Sequence, residues 1–124
     1  MYAALDPDTM WAEWARATSG RVAAREEERA ECAVDVDLRV LDLRSPATRE
    51  ALGVTLDELV ADWAPDAPNR ACLLVARAAH DGGADGYIVP SAAHPGGWNL
   101  AVLPSAFDRV RVVRRSRAKP PRHG

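Results

Sequence analysis

The chain has 124 residues, of which 48% are hydrophobic and 27% charged, and its formal net charge is −2. This length suits one domain with a single core, and the composition is typical of a soluble globular protein. No apolar run approaches the roughly 20 residues that span a membrane, and no basic segment followed by an apolar one opens the chain. The sequence therefore predicts neither a membrane span nor a secretory signal, and we expect a cytoplasmic protein.

The charge is unevenly distributed. Residues 109–124 hold seven of the 16 Lys and Arg residues and no acidic residue, so the rest of the chain carries nine basic and all 18 acidic groups. A basic tail can bind nucleic acid. Here no aromatic residue lies between the arginines and no recognition motif accompanies them. We therefore expect residues 109–113 to form a last strand, the remainder to be a partly disordered tail, and nucleic acid not to be a partner.

The first predicted element is a helix that begins at Pro7. Asp6 is a suitable N-cap, proline fits the first helical position, and Gly20 lies just past the predicted end. Apolar residues at helical spacing, Met10 and Trp14 among them, give this helix one face that can be buried. Glu13 lies at the border of that face. From composition alone, a glutamate in such a place is most often a solvated carboxylate.

Strand and helix signals then follow one another closely. Residues 22–31 are highly charged and predict an exposed helix tail or loop. Residues 32–40 alternate between apolar and polar side chains, which predicts one strand with a single buried face. A short helix is predicted from Ser45-Pro46 to Gly53, and a capping box at residues 55–58 predicts another.

The second half of the chain predicts one longer helix and two short strands. The helix covers about residues 69–80, and the strands cover residues 87–89 and 100–103, joined by a loop rich in proline and glycine. Helices and strands are interspersed through short loops, with no internal repeat or linker. This pattern is typical of a single α+β or α/β domain, which we place at residues 1–108.

Ser91 follows a predicted strand, where a nucleophile can lie. Its surroundings are not G-x-S-x-G, and the nearby His80, His94 and Asp85 have no known triad order. A serine hydrolase is therefore not expected.

No metal site is predicted. His80, Asp81 and His94 are scattered candidates that do not define one, and Cys32 and Cys72 are not in a metal-like spacing. We expect the two cysteines to be buried free thiols, as is usual in a reducing compartment.

Several short motifs occur in an order that resembles the RES-domain family. Tyr2 lies eleven positions before Glu13, with a helix start between them, and Ser91 ends the segment 83–91. The family is named for an arginine, a glutamate and a serine. The resemblance spans about residues 2–104 and includes three further segments, residues 40–43, 52–59 and 97–100.

This resemblance implies an α+β domain with an ADP-ribosyltransferase-like RES fold that binds NAD in a cleft between two small sheets. Family members cleave the nicotinamide–ribose bond with water or phosphate as acceptor. By the same resemblance, Glu13 and Ser91 would be catalytic and Tyr2 would bind the substrate. Glu13 would stabilise the ribosyl cation, and Ser91 would hydrogen-bond the ribose or nicotinamide. NAD would be the substrate, with no cofactor.

The family arginine should precede the tyrosine, and this chain begins one residue before Tyr2. Arg16, Arg21 and Arg25 all follow the tyrosine, so none of them can be assigned its role. We therefore expect a domain that is partial at its N-terminus and that degrades NAD weakly or not at all. Two functions stay open: an NAD-degrading toxin of a toxin–antitoxin system, or a truncated, non-catalytic RES fold that binds a partner. A helix-turn-helix antitoxin would be the partner of the toxin, and a homo-oligomer also stays open.

Overall fold

The computed structural model describes residues 2–17, 29–61 and 69–118. Helices and a mixed sheet are both present, so the predicted α+β class is confirmed. In chain order the elements are β1 (Tyr2–Ala4), α1 (Pro7–Ala17), β2 (Arg29–Val36), β3 (Val40–Asp42), α2 (Pro46–Leu52), α3 (Leu56–Val60), α4 (Arg70–Asp81), β4 (Gly86–Pro90), β5 (Trp98–Val102), a 3-10 helix (Pro104–Arg109) and β6 (Val110–Ala118).

The strands form two separate sheets. The larger sheet has the order β1-β5-β4-β3, in which β3 runs parallel to β4 and the other neighbours are antiparallel. The smaller sheet pairs β2 with β6 in antiparallel orientation. Its register shifts between Ala33 and Val34, which leaves Val113 as an extra residue in β6. Such a bulge bends the strand pair locally.

The prediction of one strand over residues 32–40 is wrong. β2 ends at Val36 and β3 begins at Val40, and the two strands lie in different sheets. The chain leaves the smaller sheet after β2 because Arg39 pairs with Asp85. The Arg39 backbone N–H donates to Asp85 Oδ2 at 2.9 Å, and the Arg39 carbonyl accepts from the Asp85 N–H at 2.7 Å.

Both strands of the smaller sheet extend beyond their predicted bounds at the same end of the sheet. β2 begins at Arg29, so the expected helix tail or loop is wrong for residues 29–31, which pair with residues 116–118. The last strand continues to Ala118 instead of ending at residue 113, because β2 supplies a partner along its whole length.

The predicted short helices are confirmed by their caps. Ser45 caps α2, and Gly53 follows it in the left-handed conformation with φ of 69°. Thr55 and Glu58 form both hydrogen bonds of the predicted capping box at α3. Asn69 caps α4, which extends one residue further than predicted. Each signal lies within four residues of the helix end that it fixes, which is why the sequence reveals it.

The larger sheet has a hydrophobic cluster on each face. Successive residues of a strand point to opposite faces, and Val89 and Ile88 of β4 accordingly belong to different clusters. The first cluster packs helices α3 and α4 against the sheet through Leu43, Val54, Leu59, Ala71, Val75 and Val89, and the partly buried Leu52 at the end of α2 packs against it. The second joins the sheet to the 3-10 helix through Ile88, Leu100, Val102 and Ala106.

Both cysteines are free, but Cys32 is exposed and Cys72 is only half-buried, so the expectation of two buried thiols is wrong. Among the residues that the structure describes, no helix is long and apolar enough to cross a membrane.

Some predictions fall outside the described residues. They concern the end of the first helix near Gly20, the charged stretch 22–28, the loop at Pro65 and Pro68, and the basic residues 119–124.

Candidate active site

The start of α1 is fixed by Asp6, as the sequence predicts. Its Oδ1 accepts a hydrogen bond from the Thr9 backbone N–H and its Oδ2 accepts one from the Thr9 hydroxyl, both at 2.8 Å. These hydrogen bonds, the backbone one first, lower the pKa of Asp6. Thr9 is completely buried. Because Glu13 lies one helical turn after Thr9, on the same side of the helix, this anchored turn directs Glu13 toward the sheet.

The loop between β4 and β5 approaches α1 closely at Gly97. The Gly97 N–H donates to the His94 carbonyl at 2.8 Å, and the Gly97 carbonyl accepts from the Ser91 N–H at 2.9 Å. A Cβ atom at Gly97 would overlap the Thr9 side chain and lie 2.8 Å from the His94 ring. Glycine therefore permits the close approach that brings the end of β4 against the helix.

Ser91 and Glu13 are in direct contact. The Ser91 hydroxyl donates to Glu13 Oε1 at 2.5 Å and accepts hydrogen bonds from the backbone N–H groups of Ala93 and His94 at 3.2 and 3.1 Å. Ser91 is only 3% exposed. The structure thus joins the two residues that the resemblance implies to be catalytic, whereas their roles in catalysis stay predictions.

Asn99, the second residue of β5, completes the group, and the family resemblance gave it no role. Its Nδ2 donates to Glu13 Oε1 at 3.1 Å and to the Tyr2 hydroxyl at 3.0 Å. Asn99 is completely buried. Its Oδ1 is the buried side-chain polar atom that lacks a hydrogen-bond partner among the described residues. The signal in the sequence was an amide inside the otherwise apolar strand Trp98–Val102.

A cavity of about 630 Å³ opens beside these side chains. One wall of the cavity comes from β1, an edge strand of the larger sheet, and from α1, which follows β1. The other wall comes from β2 of the smaller sheet, so the cavity lies between the two sheets. Its lining carries two carboxylates and, within the described residues, no basic side chain. Ser91 lies behind Glu13 and is not part of the lining, which consists of Tyr2, Ala3, Ala4, Leu5, Asp6, Pro7, Met10, Glu13, Cys32, Ala33, Val34 and Asn99.

A family model described as RES domain matches residues 1–121. The chain belongs to the RES domain family. The resemblance predicted from the sequence is thereby confirmed, and the matched region includes all of β6. No curated protein and no solved structure matches this chain.

Tyr2 lies at the mouth of the cavity of this RES domain. The residue as a whole is 57% exposed, yet its hydroxyl lies against Asn99. Burial of the Tyr2 hydroxyl raises its pKa, and the hydrogen bond from Asn99 partly opposes that rise. The phenol is therefore protonated at neutral pH. Because its oxygen accepts from Asn99, its own hydrogen can be donated to a bound ligand.

The side chains considered as metal ligands do not come together at one place in the RES domain. His80 pairs with the neighbouring Asp81 at the surface, at 3.3 Å, whereas His94 lies in the loop beside Gly97. In the described ranges, no group of three or more His, Cys, Asp or Glu side chains is arranged to hold a metal ion.

Proposed function

We propose that this RES domain cleaves the nicotinamide–ribose bond of NAD. The observation that supports the proposal is the Glu13 carboxylate, which lies in the cavity wall and receives hydrogen bonds from both Ser91 and Asn99. A cavity of about 630 Å³ is within the usual size of a small-molecule site. Tyr2 adds an aromatic ring and a hydroxyl to the same wall.

The proposed reaction needs a negative charge of this kind. As the bond between nicotinamide and ribose breaks, its electron pair leaves with nicotinamide and the ribose gains oxocarbenium character. A carboxylate held in place beforehand stabilises that positive charge without first having to reorganise. The two donors on Oε1 hold the Glu13 side chain in one orientation. Water or phosphate then adds to the ribosyl carbon.

The charges of the lining favour one orientation of NAD. Asp6 and Glu13 are both carboxylates in the cavity wall. They attract the positively charged nicotinamide ring and repel the two phosphates. We therefore place the nicotinamide-ribose end beside Glu13 and Tyr2, with the phosphates directed away from the described lining.

The test is nicotinamide release from NAD by the purified protein, in buffers with and without inorganic phosphate. ADP-ribose as the second product would identify water as the acceptor, and its 1-phosphate would identify phosphate. Wild-type protein that binds NAD without cleaving it, or that does neither, would contradict the proposal and favour a non-catalytic RES fold that binds a partner.

Glu13→Gln is the decisive variant. The amide oxygen of glutamine can still accept from Ser91 and Asn99, so the melting temperature should change little, by the equivalent of less than about 1 kcal/mol. The lost negative charge should lower turnover by about 100-fold or more. Turnover equal to wild type would contradict the role of Glu13, and a large fall in melting temperature would assign it a structural role.

We also propose that the protein acts as a toxin by depleting NAD, with a helix-turn-helix antitoxin as its partner. The family resemblance supports this role. Induced expression in bacteria should lower cellular NAD and stop growth for the wild type and not for Glu13→Gln.

A further inference from the structure

We infer that Asn99 is a positioning residue, whose amide holds the Glu13 carboxylate and the Tyr2 hydroxyl together on one wall of the cavity. The inference rests on the proposed cleavage of NAD and adds to it a residue that the family pattern of arginine, glutamate and serine does not contain. Asn99 would act through Glu13 and Tyr2 and need not touch the reacting atoms.

The orientation of the Asn99 amide follows from its neighbours. A carboxylate oxygen can only accept hydrogen bonds, so the NH₂ group of Asn99 must face Glu13 Oε1, at 3.1 Å. The second N–H then reaches the Tyr2 hydroxyl at 3.0 Å. Both donors are used, and Oδ1 is left buried without a partner. An unpaired buried acceptor destabilises a fold, and such exceptions are found preferentially at functional sites.

The position of Asn99 makes its amide a rigid reference point. β5 lies inside the sheet, hydrogen-bonded to β1 on one side and β4 on the other. Asn99 is paired with Ala4 and with Val89 in these neighbours. Glu13 comes from helix α1 and Tyr2 from the edge strand β1. Through Asn99, the inner strand β5 therefore fixes the position of α1 relative to β1. Ser91, which contacts Glu13 and not Tyr2, cannot do this alone.

Asn99→Asp is the first test, because it keeps the shape and removes both donors. It would place a second carboxylate about 3 Å from Glu13, and the mutual repulsion of two carboxylates that close raises the pKa of one of them. The pair would then titrate as a unit with a raised apparent pKa. We expect kcat/KM at pH 7 to fall about 100-fold, and the acid limb of the pH profile to move upward by about one pH unit or more.

Asn69→Asp is the matched control. Asn69 is also a buried asparagine, 8% exposed, whose Nδ2 donates to the carbonyls of Glu58 and Ala61 at 2.8 and 3.2 Å. These contacts join α3 to α4 and do not involve the site. Asn69→Asp should lower the melting temperature and leave the acid limb of the pH profile where the wild type has it. Other titratable groups around the cavity, namely Tyr2, Asp6, Cys32 and His94, are unchanged in both variants.

The double variant Glu13→Gln with Asn99→Asp exchanges amide and carboxylate across the same hydrogen bond. The introduced amide can donate to the introduced carboxylate, so the melting temperature should recover relative to Asn99→Asp alone. Turnover should remain absent, because the negative charge then lies on β5 and not on α1. A merely structural role for Asn99 would instead leave kcat/KM and the acid limb of the Asn99→Asp profile at their wild-type values.

The outcomes separate the two proposals. If the wild type releases nicotinamide and Asn99→Asp has the same pH profile of kcat/KM, the role of Asn99 is overturned and the cleavage of NAD is left intact. A double variant no more stable than Asn99→Asp alone would also overturn it, because residues 13 and 99 would then not share a hydrogen bond. A wild-type protein without nicotinamide release would overturn the proposed function, and the positioning role would fall with it.

Discussion

At the scale of single residues, the Ser91 hydroxyl has its hydrogen-bonding capacity fully used. It donates to Glu13 and accepts from the N–H groups of Ala93 and His94. A serine in this state supports a carboxylate and is poorly suited to attack a substrate, particularly since it lies outside the cavity lining. The same contacts explain why the chain needs a small hydroxyl side chain at the end of β4.

Ser91→Ala should therefore weaken the site without abolishing it. Glu13 would keep the hydrogen bond from Asn99, so turnover should fall by about tenfold, as expected for the loss of one charge-assisted hydrogen bond. Two backbone N–H groups would lose their acceptor, which should destabilise the fold by about 1–3 kcal/mol. Turnover and thermal melting test both, with Ser105→Ala in the exposed part of the 3-10 helix as a control. A covalent ADP-ribosyl adduct on Ser91 of the wild type, detected by mass spectrometry, would contradict this role.

By resemblance, the sequence predicted three of the four polar side chains of the site, namely Tyr2, Glu13 and Ser91. Asn99 was noticed only as part of the segment 97–100. Its role depends on contacts with Glu13 and Tyr2, which are 86 and 97 positions away in the chain. No local pattern encodes such contacts, whereas an amide in an apolar strand does mark the residue as unusual.

At the scale of elements, the contact between Gly97 and Thr9 sets the distance between α1 and the β4–β5 loop. Gly97→Ala should push the two apart and destabilise the fold by about 1–3 kcal/mol, the usual effect of overpacking. It should also lower turnover, because Ser91 and Glu13 are carried by the two displaced elements. Thr9→Ala in the same chain removes the Thr9 atoms that the new methyl group would meet, and leaves only its contact with the His94 ring. The double variant should consequently be more stable than the sum of the single effects predicts, and strict additivity in urea or thermal unfolding would contradict the steric explanation.

Elements were predictable where their signals are local. The caps Asp6, Ser45 and Asn69 each bind a backbone N–H three residues further on, so the sequence reveals the helix starts. The division of residues 32–40 between two sheets was not predictable, because an apolar-polar alternation continues across the break. What ends the first strand is the pairing of Arg39 with Asp85, 46 residues away.

At the scale of the whole molecule, Asp85 links parts that belong to different sheets. It binds the backbone N–H of Arg39, between β2 and β3, and forms two hydrogen bonds with the guanidinium of Arg109, just before β6. The hydrogen bond from the Arg39 backbone, followed by the interaction with Arg109, lowers the pKa of Asp85. A carboxylate with a lowered pKa stabilises the folded state above its unfolded pKa, and that stabilisation is lost as the pH falls through the folded pKa.

Asp85→Asn should accordingly lower the melting temperature at pH 7. The difference from wild type should begin to shrink as the pH falls below the unfolded pKa of about 4, and should vanish as the pH falls through the lower folded pKa of Asp85. Arg109→Gln should remove only part of the same pH-dependent stabilisation, because the Arg39 N–H, the larger cause, is kept. Thermal melting of the three proteins between pH 7 and the acid range measures this. A difference between wild type and Asp85→Asn that stays constant over that range would show that the charge of Asp85 does not stabilise the fold.

The hydrogen bonds that define the site also determine when it can exist during synthesis. Glu13 meets Ser91 across 78 positions, and Tyr2 meets Asn99 across 97. Loops of this length close late and slowly compared with the capped helices between them. The first helix therefore leaves the ribosome long before its glutamate has either donor. A chain still being translated carries the carboxylate without the groups that orient it, and the site is assembled only after β5 has emerged and entered the sheet.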